Sequence, residues 1–193
     1  KQLNFDDPRS ALFFEFVRVL NETKPTYFLL ENVNMKKEYQ DVISGLLGVE
    51  PIKIDSVLLS AGNRVRLYWT NIPNVEQPEA AAVDPATIID GEGFPSRCDL
   101  GRNFFRRDVF NTLTATYYKG IRGSNRPAVS VKEGNLDDDK ASHRMLSPIE
   151  CERLHTVPEN YTAAASNTQR YRMLGNGWTV DVIAHIFKDL DIL

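Results

Sequence analysis

The chain has 193 residues, of which 42% are hydrophobic and 25% charged, so it is long enough for one folded domain with an ordinary core. It contains neither an apolar run near the roughly 20 residues that span a bilayer nor a signal-peptide pattern at its start. Two cysteines and three scattered histidines favour neither a disulfide scaffold nor a metal site. We therefore expect a cytoplasmic protein without a metal ion.

The first 73 residues alternate between helix and strand signals. Apolar residues at helical spacing predict a helix over residues 7–25 and another over 36–48. The mostly apolar residues 26–33 predict a strand buried on both faces, as in a parallel sheet. Residues 51–59 and 64–73 are also strand-like. This alternation predicts an α/β sheet.

The sequence changes character after Pro73. Residues 74–103 are rich in proline, glycine and acids and predict a loop, whereas 110–121 and 126–135 are β-prone. The net charge of −3 argues weakly against a nucleic-acid partner, but basic residues outnumber acids by seven to two between Ser96 and Arg126. The seven are Arg97, Arg102, Arg106, Arg107, Lys119, Arg122 and Arg126. A local basic patch of this kind favours contact with phosphate.

Helix signals return after this segment. Ser147 is predicted to cap a helix that has Pro148 at its first position and is completed by Glu150 as a capping box. Residues 166–177 predict a short helix that Gly175 stops, and residues 179–190 an amphipathic terminal helix.

Glu31 is an unusual residue for the end of a buried strand. Burying a lone carboxylate is costly, so the group is paired, protonated, functional, or simply reaches water at the strand end. Arg64 and Arg66 are spaced by two residues and are predicted to lie on one face of their strand. The residue pattern alone leaves these readings open.

Five stretches resemble, in this order, the later sequence motifs of DNA cytosine-5 methyltransferases of the bacterial or phage type. They are residues 7–20, 27–33, 63–71, 144–158 and 171–183. The resemblance implies a partial Rossmann-like methyltransferase sheet with helices, plus a small irregular β-rich target-recognition module. The nucleophilic cysteine and the main S-adenosylmethionine loop of the family lie upstream of these motifs, so this chain alone is expected to be inactive.

The resemblance also divides the chain into three segments. Residues 1–73 correspond to the C-terminal half of the catalytic domain, and residues 74–143 to the target-recognition module. Residues 144–193 correspond to helices that return to the catalytic domain and the cofactor site. Arg144 matches a family arginine that stabilises the recognition module.

The resemblance assigns the catalytic residues. Glu31 matches the active-site glutamate that shares or donates a proton at N3 of cytosine, and Arg66 the arginine that holds its O2. Arg64 matches the arginine that supports the glutamate and the backbone. Gly62 stands where the family usually has glutamine and cannot make that side-chain contact, so the packing over DNA is expected to differ.

The remaining site residues follow from the same motifs. Leu12, Asn176, Gly177 and Trp178 match positions that contact S-adenosylmethionine. The DNA-binding candidates are Arg102, Arg106, Arg107, Thr112, Leu113, Lys119, Arg122 and Asn125, with Thr112 and Leu113 resembling a Thr-Leu pair of these modules.

These matches predict part of an enzyme that flips a cytosine out of double-stranded DNA and methylates its C5 in a restriction-modification setting. Its N-terminal half is a possible separate partner chain. Two other functions remain open at this point. One is a non-catalytic regulatory or DNA-binding subunit that kept the fold, which the missing motifs and Gly62 favour and the presence of Glu31, Arg64 and Arg66 disfavours. The other is an RNA cytosine-5 methyltransferase, which the sizeable basic module disfavours.

Overall fold

The computed structural model describes residues 11–98, 103–121, 126–132, 134–135 and 142–190. Contacts between residues divide this part of the chain into two compact units. The first unit comprises residues 11–54, 65–77 and 186–190, and the second unit comprises 55–64 and 78–185. Residues 144–185, predicted to return to the catalytic domain, are thus grouped with the β-rich segment.

Helices and strands alternate at the start of the chain, as the sequence pattern predicts. In chain order they are α1 (Ala11–Thr23), β1 (Leu29–Val33), α2 (Lys37–Leu47), β2 (Ile52–Asp55) and β3 (Val65–Thr70). Gly48 ends α2 in the left-handed conformation, with φ of 72°. The strand predicted over 51–59 is shorter than expected. The Asp55 carboxylate accepts a hydrogen bond from the N–H of Val57 and starts a 3-10 turn instead.

The sheet of the first unit has the strand order β1-β3-β2. Strands β1 and β3 run antiparallel, so the prediction of a parallel strand is wrong for this pair. An apolar run indicates burial on both faces but does not specify the direction of the neighbouring strand. Leu67 and Trp69 of β3 pack with Ile43 and Leu47 of α2, and the Trp69 indole donates to Ser44 at 3.0 Å.

The second unit contains a five-stranded antiparallel sheet of order β7-β5-β4-β6-β8. Its strands are β4 (Phe94–Cys98), β5 (Asn103–Arg106), β6 (Pro127–Ser130), β7 (Gly134–Asn135) and β8 (His143–Arg144). Strand β4 lies in a stretch predicted as loop, and the β-prone residues 110–121 contain a 3-10 turn, Tyr117–Lys119, rather than a strand. The buried Tyr117 hydroxyl explains part of this local structure, because it donates to the Pro127 carbonyl and accepts from the Leu146 N–H.

Three helices follow: α3 (Pro148–Leu154), α4 (Asn167–Asn176) and α5 (Val180–Ile186). The capping box of Ser147 and Glu150 is confirmed at the start of α3. The prediction that Gly175 stops α4 is wrong. The helix continues through Asn176, and the Gly177 N–H donates to the carbonyls of Met173 and Leu174.

Glu150 is fully buried, and the donors around its carboxyl group favour the ionised form. Its carboxylate accepts from Arg144 at 2.7 Å and 2.8 Å, and from the N–H groups of Asp90 and Ser147. Burial raises the pKa of this carboxyl, but these hydrogen bonds outweigh it, and the net pKa lies below the ordinary value. Arg144 also donates to the Asp90 carbonyl, in keeping with the stabilising role expected for it.

Glu152, two residues further along α3, has a second network. It accepts from the N–H groups of Asn160 and Thr162, from the Thr162 hydroxyl, and from Arg170 at 3.0 Å. Burial raises the pKa of Glu152, and these donors lower it to a net value below the ordinary one. Through these hydrogen bonds Glu150 connects α3 to residues before the helix, and Glu152 connects it to residues after the helix.

Candidate functional site

Glu31 and Arg66 form an ion pair in the first unit. The Arg66 Nε lies 2.7 Å from the Glu31 Oε1, and the two side chains are only 14% and 19% exposed. The N–H of Nε is not aligned with the carboxylate, and Oε1 has no hydrogen-bond partner among the described residues. We therefore regard charge, rather than an aligned hydrogen bond, as the interaction that holds the pair. Arg66 Nη1 donates to the Val65 carbonyl at 2.8 Å, which fixes the guanidinium.

The strand register brings these two side chains together. Glu31 pairs with Tyr68, and Val33 with Arg66, so Glu31 and Arg66 are diagonal neighbours on one face. Leu67 and Trp69, which pack with α2, alternate with Arg66 and therefore lie on the other face. Glu31 was predicted at the tip of a parallel strand. It is instead the third of five residues in β1, within an antiparallel pair.

Arg64 lies just before β3 and is only 7% exposed. Its guanidinium donates to three backbone carbonyls of the second unit: Leu113 at 3.2 Å, Gly175 at 3.4 Å and Gly177 at 2.9 Å. These partners are backbone groups, as expected for Arg64, whereas its expected support of the glutamate stays a prediction. Because β3 begins at Val65, Arg64 lies just outside the strand on which it was predicted to share a face with Arg66.

Gly62, in the position usual for glutamine, is buried and tightly surrounded. Its carbonyl accepts from the hydroxyls of Ser56 and Ser60 at 2.6 Å and 3.2 Å. A Cβ at this residue would lie 2.7 Å from the Leu154 Cδ1. A larger side chain therefore requires Leu154 to move, which gives a local reason for glycine here.

A cleft of about 570 Å³ opens in the second unit, and we name it the polar cleft. It is lined by Asn63, Arg97, Arg107, Asn111, Thr112, Thr114, Thr116 and Arg126. Arg107 and Thr112 are DNA-binding candidates from the sequence, and the structure brings them together here. Arg97 and Arg126 were counted in the basic segment but not assigned to the site. Thr114 and Thr116 were not assigned to the site, although they alternate with Thr112, which was.

Two of the described DNA-binding candidates, Arg106 and Lys119, do not line the polar cleft. Arg106 is exposed, with its guanidinium 4.8 Å from the centre of the Phe94 ring. Lys119 is exposed beside the Tyr118 ring.

Leu113 is only 1% exposed and belongs to the core, so its side chain does not form a binding surface. It can influence binding only through its neighbours in the chain. The candidates Arg102, Arg122 and Asn125 lie outside the described residues.

Three of the four residues predicted to contact S-adenosylmethionine have exposed side chains. Leu12 and Trp178 are large apolar side chains with exposed fractions of 74% and 48%, and Asn176 is also exposed. The fourth residue, Gly177, accepts a hydrogen bond from Arg64 through its backbone carbonyl. An exposed apolar side chain of this size is suited to contact with a flat ring or a thioether chain. Leu12 belongs to the first unit and the other three residues to the second, and contact of each with S-adenosylmethionine stays a prediction.

The two cysteines are both buried in the core of the second unit. Burial raises the pKa of the Cys151 thiol, and the nearby carboxylates of Glu150 and Glu152 raise it further. Neither Cys98 nor Cys151 is therefore placed to act as an exposed thiolate nucleophile.

The described segments contain no group of three or more histidine, cysteine or acidic side chains arranged to hold a metal ion. None of the helices in the same segments combines the length and apolarity required to cross a lipid bilayer.

Solved structures with a similar fold are methyltransferases. The chain matches a structure of the Entamoeba histolytica methyltransferase EhMeth with a TM-score of 0.71 at 18% identity, covering 97% of this chain and 71% of that one. It matches Spodoptera frugiperda DNMT2 with a TM-score of 0.65 at 19% identity, covering 97% and 73%. The mixed α/β architecture is therefore a methyltransferase fold.

Sequence similarity defines the family within this fold. Residues 1–42 and 68–191 match the family model for C-5 cytosine-specific DNA methylases, and the chain belongs to that family. It is 29% identical to the Type II methyltransferase M1.ScrFI of Lactococcus lactis subsp. cremoris, covering 100% of this chain and 59% of that protein. It is 27% identical to the Type II methyltransferase M.NlaX of Neisseria lactamica, covering 96% and 69%. The chain thus spans between about half and three quarters of these two relatives.

Proposed function

We propose that the protein containing this chain transfers a methyl group from S-adenosylmethionine to carbon 5 of a cytosine in double-stranded DNA. Membership of the C-5 cytosine-specific methylase family supports the reaction type. The observation that carries the proposal for this chain is the Glu31–Arg66 pair, with its 2.7 Å contact on one face of a sheet. The family, described as C-5 cytosine-specific DNA methylases, supports DNA, rather than RNA, as the substrate.

The pair is chemically suited to the Watson–Crick edge of cytosine. That edge presents two acceptors, O2 and N3, and one donor, the N4 amino group. Arg66 Nη2 has no hydrogen-bond partner in the described part of the chain and is available to donate to O2. Glu31, a carboxylate in its ion pair with Arg66, would need to take up a proton to donate at N3, and its second oxygen would then accept from N4. Donation at N3 limits negative charge on the ring when a nucleophile adds at carbon 6.

The base must leave the double helix before these side chains reach it. Enzymes that act on a base within a duplex extrude it into a pocket, and they hold the flanking backbone while doing so. We assign backbone contact to the polar cleft, because Arg107, Arg97 and Arg126 line it together with threonine and asparagine side chains. Arginine forks and hydroxyl groups are the usual partners of phosphate oxygens.

S-adenosylmethionine supplies the electrophilic methyl group when it is bound. Trp178 would cover an apolar part of it, and Asn176 would hydrogen-bond a polar group; Leu12, in the first unit, is a separate candidate for an apolar contact. The thiol that adds to carbon 6 is not assigned to Cys98 or Cys151, because both are buried.

Glu31→Gln in the full-length protein tests the proposal. Glutamine is nearly the same shape and still hydrogen-bonds the base, but it cannot deliver a proton to N3. We expect duplex affinity within a few-fold of wild type and single-turnover methylation slower by roughly 10²–10⁴-fold, the usual contribution of general acid–base catalysis. Glu38→Gln, on the exposed surface of α2, is the matched control and should methylate at the wild-type rate.

The assay should include duplex DNA and single-stranded RNA of the same sequence, with a melting curve for each variant. Loss of rate only in proportion to loss of folded protein would make Glu31 a structural residue. Wild-type rates for Glu31→Gln would remove it from the mechanism. Methylation of RNA in preference to DNA would overturn the assignment of the substrate.

A further inference from the structure

Arg64 connects two segments that the proposed function assigns to different ligands. Its Nη1 donates to the Leu113 carbonyl at 3.2 Å, and its Nη2 to the Gly177 carbonyl at 2.9 Å. Both nitrogens also lie 3.4 Å from the Gly175 carbonyl. Leu113 lies between the cleft-lining residues Thr112 and Thr114, whereas Gly177 lies between the cofactor candidates Asn176 and Trp178.

The segment before Arg64 is hydrogen-bonded to the loop that lines the polar cleft, residues 110–116, which we name the cleft-lining loop. The Asn63 N–H donates to the Phe110 carbonyl at 3.0 Å, and the Thr112 hydroxyl donates to the Asn63 carbonyl at 2.8 Å. Asn63 itself lines the polar cleft. Residues 63–64 and 110–113 therefore run side by side, so that a movement of Arg64 is transmitted to the threonines.

The second connection is a direct contact between backbones. A Cβ added to Gly175 would lie 2.2 Å from the Thr114 carbonyl carbon and 2.4 Å from the Ala115 nitrogen. The end of α4 and the cleft-lining loop are thus as close as two backbones pack. No side chain separates them, so a displacement of either segment toward the other is transmitted directly.

The charge on Arg64 is suited to its position. The carbonyls of Gly175 and Gly177 lie at the C-terminal end of α4, where the helix dipole places partial negative charge. A planar guanidinium has donors in a fixed fork and can hold several carbonyls in one geometry. A lysine at this position would keep the charge but hold fewer carbonyls, in a looser arrangement.

We propose that Arg64 is a positioning residue that couples DNA binding at the polar cleft to cofactor binding at residues 176–178. This inference rests on the proposed function. A cofactor that orders the Gly177 segment fixes the Arg64 fork, and the fork then fixes Thr112 and Thr114 for the DNA backbone. By thermodynamic linkage the coupling is reciprocal, so DNA raises the affinity for the cofactor by the same factor.

Arg64→Lys in the full-length protein tests the coupling. Duplex affinity is measured with and without saturating S-adenosylhomocysteine, and cofactor affinity with and without duplex. In the wild type we expect each ligand to strengthen the other by a factor in the range of roughly 5–150. In Arg64→Lys this factor should fall toward one, while each ligand alone still binds.

Arg153→Lys is the matched control. Arg153 also donates to a backbone carbonyl of the second unit, that of Ile88, and ion-pairs with Asp90 and Glu159. It does not line the polar cleft. We expect this variant to keep the wild-type coupling factor even if its melting temperature changes.

Hydrogen–deuterium exchange on the wild type provides a test that does not depend on the folding of a variant. S-adenosylhomocysteine alone should slow exchange in residues 112–116, and duplex alone should slow it in residues 175–178. Unchanged coupling in Arg64→Lys, or an absence of reciprocal protection in the wild type, would overturn the inference. Failure of the wild type to bind duplex or to methylate it would instead count against the proposed function.

Discussion

Gly175→Ala should destabilise the protein even though it replaces glycine with the best helix former. Gly175 is the ninth of ten residues in α4, and its missing side chain faces the backbone of Thr114 and Ala115. An alanine Cβ would lie 2.2 Å from the Thr114 carbonyl carbon. Ordinary contacts begin near 3.4 Å, so the two backbones must separate by about 1.2 Å.

The expected magnitude follows from two opposing effects. Replacing glycine with alanine inside a helix stabilises it by roughly 0.5–1 kcal/mol. Overpacking of a tight contact costs about 1–3 kcal/mol, and here the upper part of that range applies because backbone atoms must move. The net loss is therefore about 1–2 kcal/mol. For a domain of this size that corresponds to a melting temperature lower by roughly 2–8 °C.

Gly45→Ala is the control that isolates the contact. Gly45 is in the interior of α2, and a Cβ there would meet nothing within 4 Å. This variant should gain about 0.5–1 kcal/mol, since only helix propensity changes. Denaturant unfolding of both variants, with duplex affinity measured on each, gives the comparison. Equal stabilisation by the two substitutions would refute the close approach of α4 to the cleft-lining loop.

Two further predictions concern acid stability and salt. Glu150 and Glu152 have lowered pKa values, so their contribution to stability is complete above the ordinary glutamate pKa of about 4.3 and is lost as the pH falls through their lower folded values. Melting curves from pH 7 downwards should therefore show the stability difference between wild type and Glu150→Gln shrinking in acid, and a constant difference would contradict this. Arg107→Ala should lower the log–log salt slope of duplex binding by about 0.9 for one lost phosphate contact, whereas Arg106→Ala, outside the polar cleft, should leave the slope nearly unchanged. Equal slopes for both variants would place the DNA surface elsewhere.

Sequence patterns correctly predicted the helices and strands that are determined by residues close together in the chain. The capping box at Ser147 and the α1–β1–α2 alternation depend on residues near one another in sequence, and these predictions are confirmed. The extent of α4 was mistaken because glycine is a frequent helix terminator. Gly175 is required there by Thr114, a residue 61 positions away in sequence and next to it in space.

The candidate site was predicted by resemblance rather than by periodicity. Glu31 and Arg66 were both predicted as site residues, and the structure places them in contact, but the strand pattern did not predict the antiparallel register that makes them diagonal neighbours. Arg97 and Arg126 were counted as basic residues but not assigned to the site, because a sequence pattern does not show which side chains from separate segments converge on one cleft. The carbonyl partners of Arg64 could not be predicted, since backbone acceptors have no signature in a sequence.

The two carboxylates of α3 limit how the β-rich segment before this helix can be exchanged between relatives. A chimera in which the residues between Asp90 and Glu150 are replaced must bring a residue equivalent to Arg144, because Glu150 is fully buried and relies on that donor. A junction placed after α3 faces the same restriction at Glu152, whose donors come from Asn160, Thr162 and Arg170. Recombination that preserves folding is thus confined to junctions that keep each carboxylate together with its own donors.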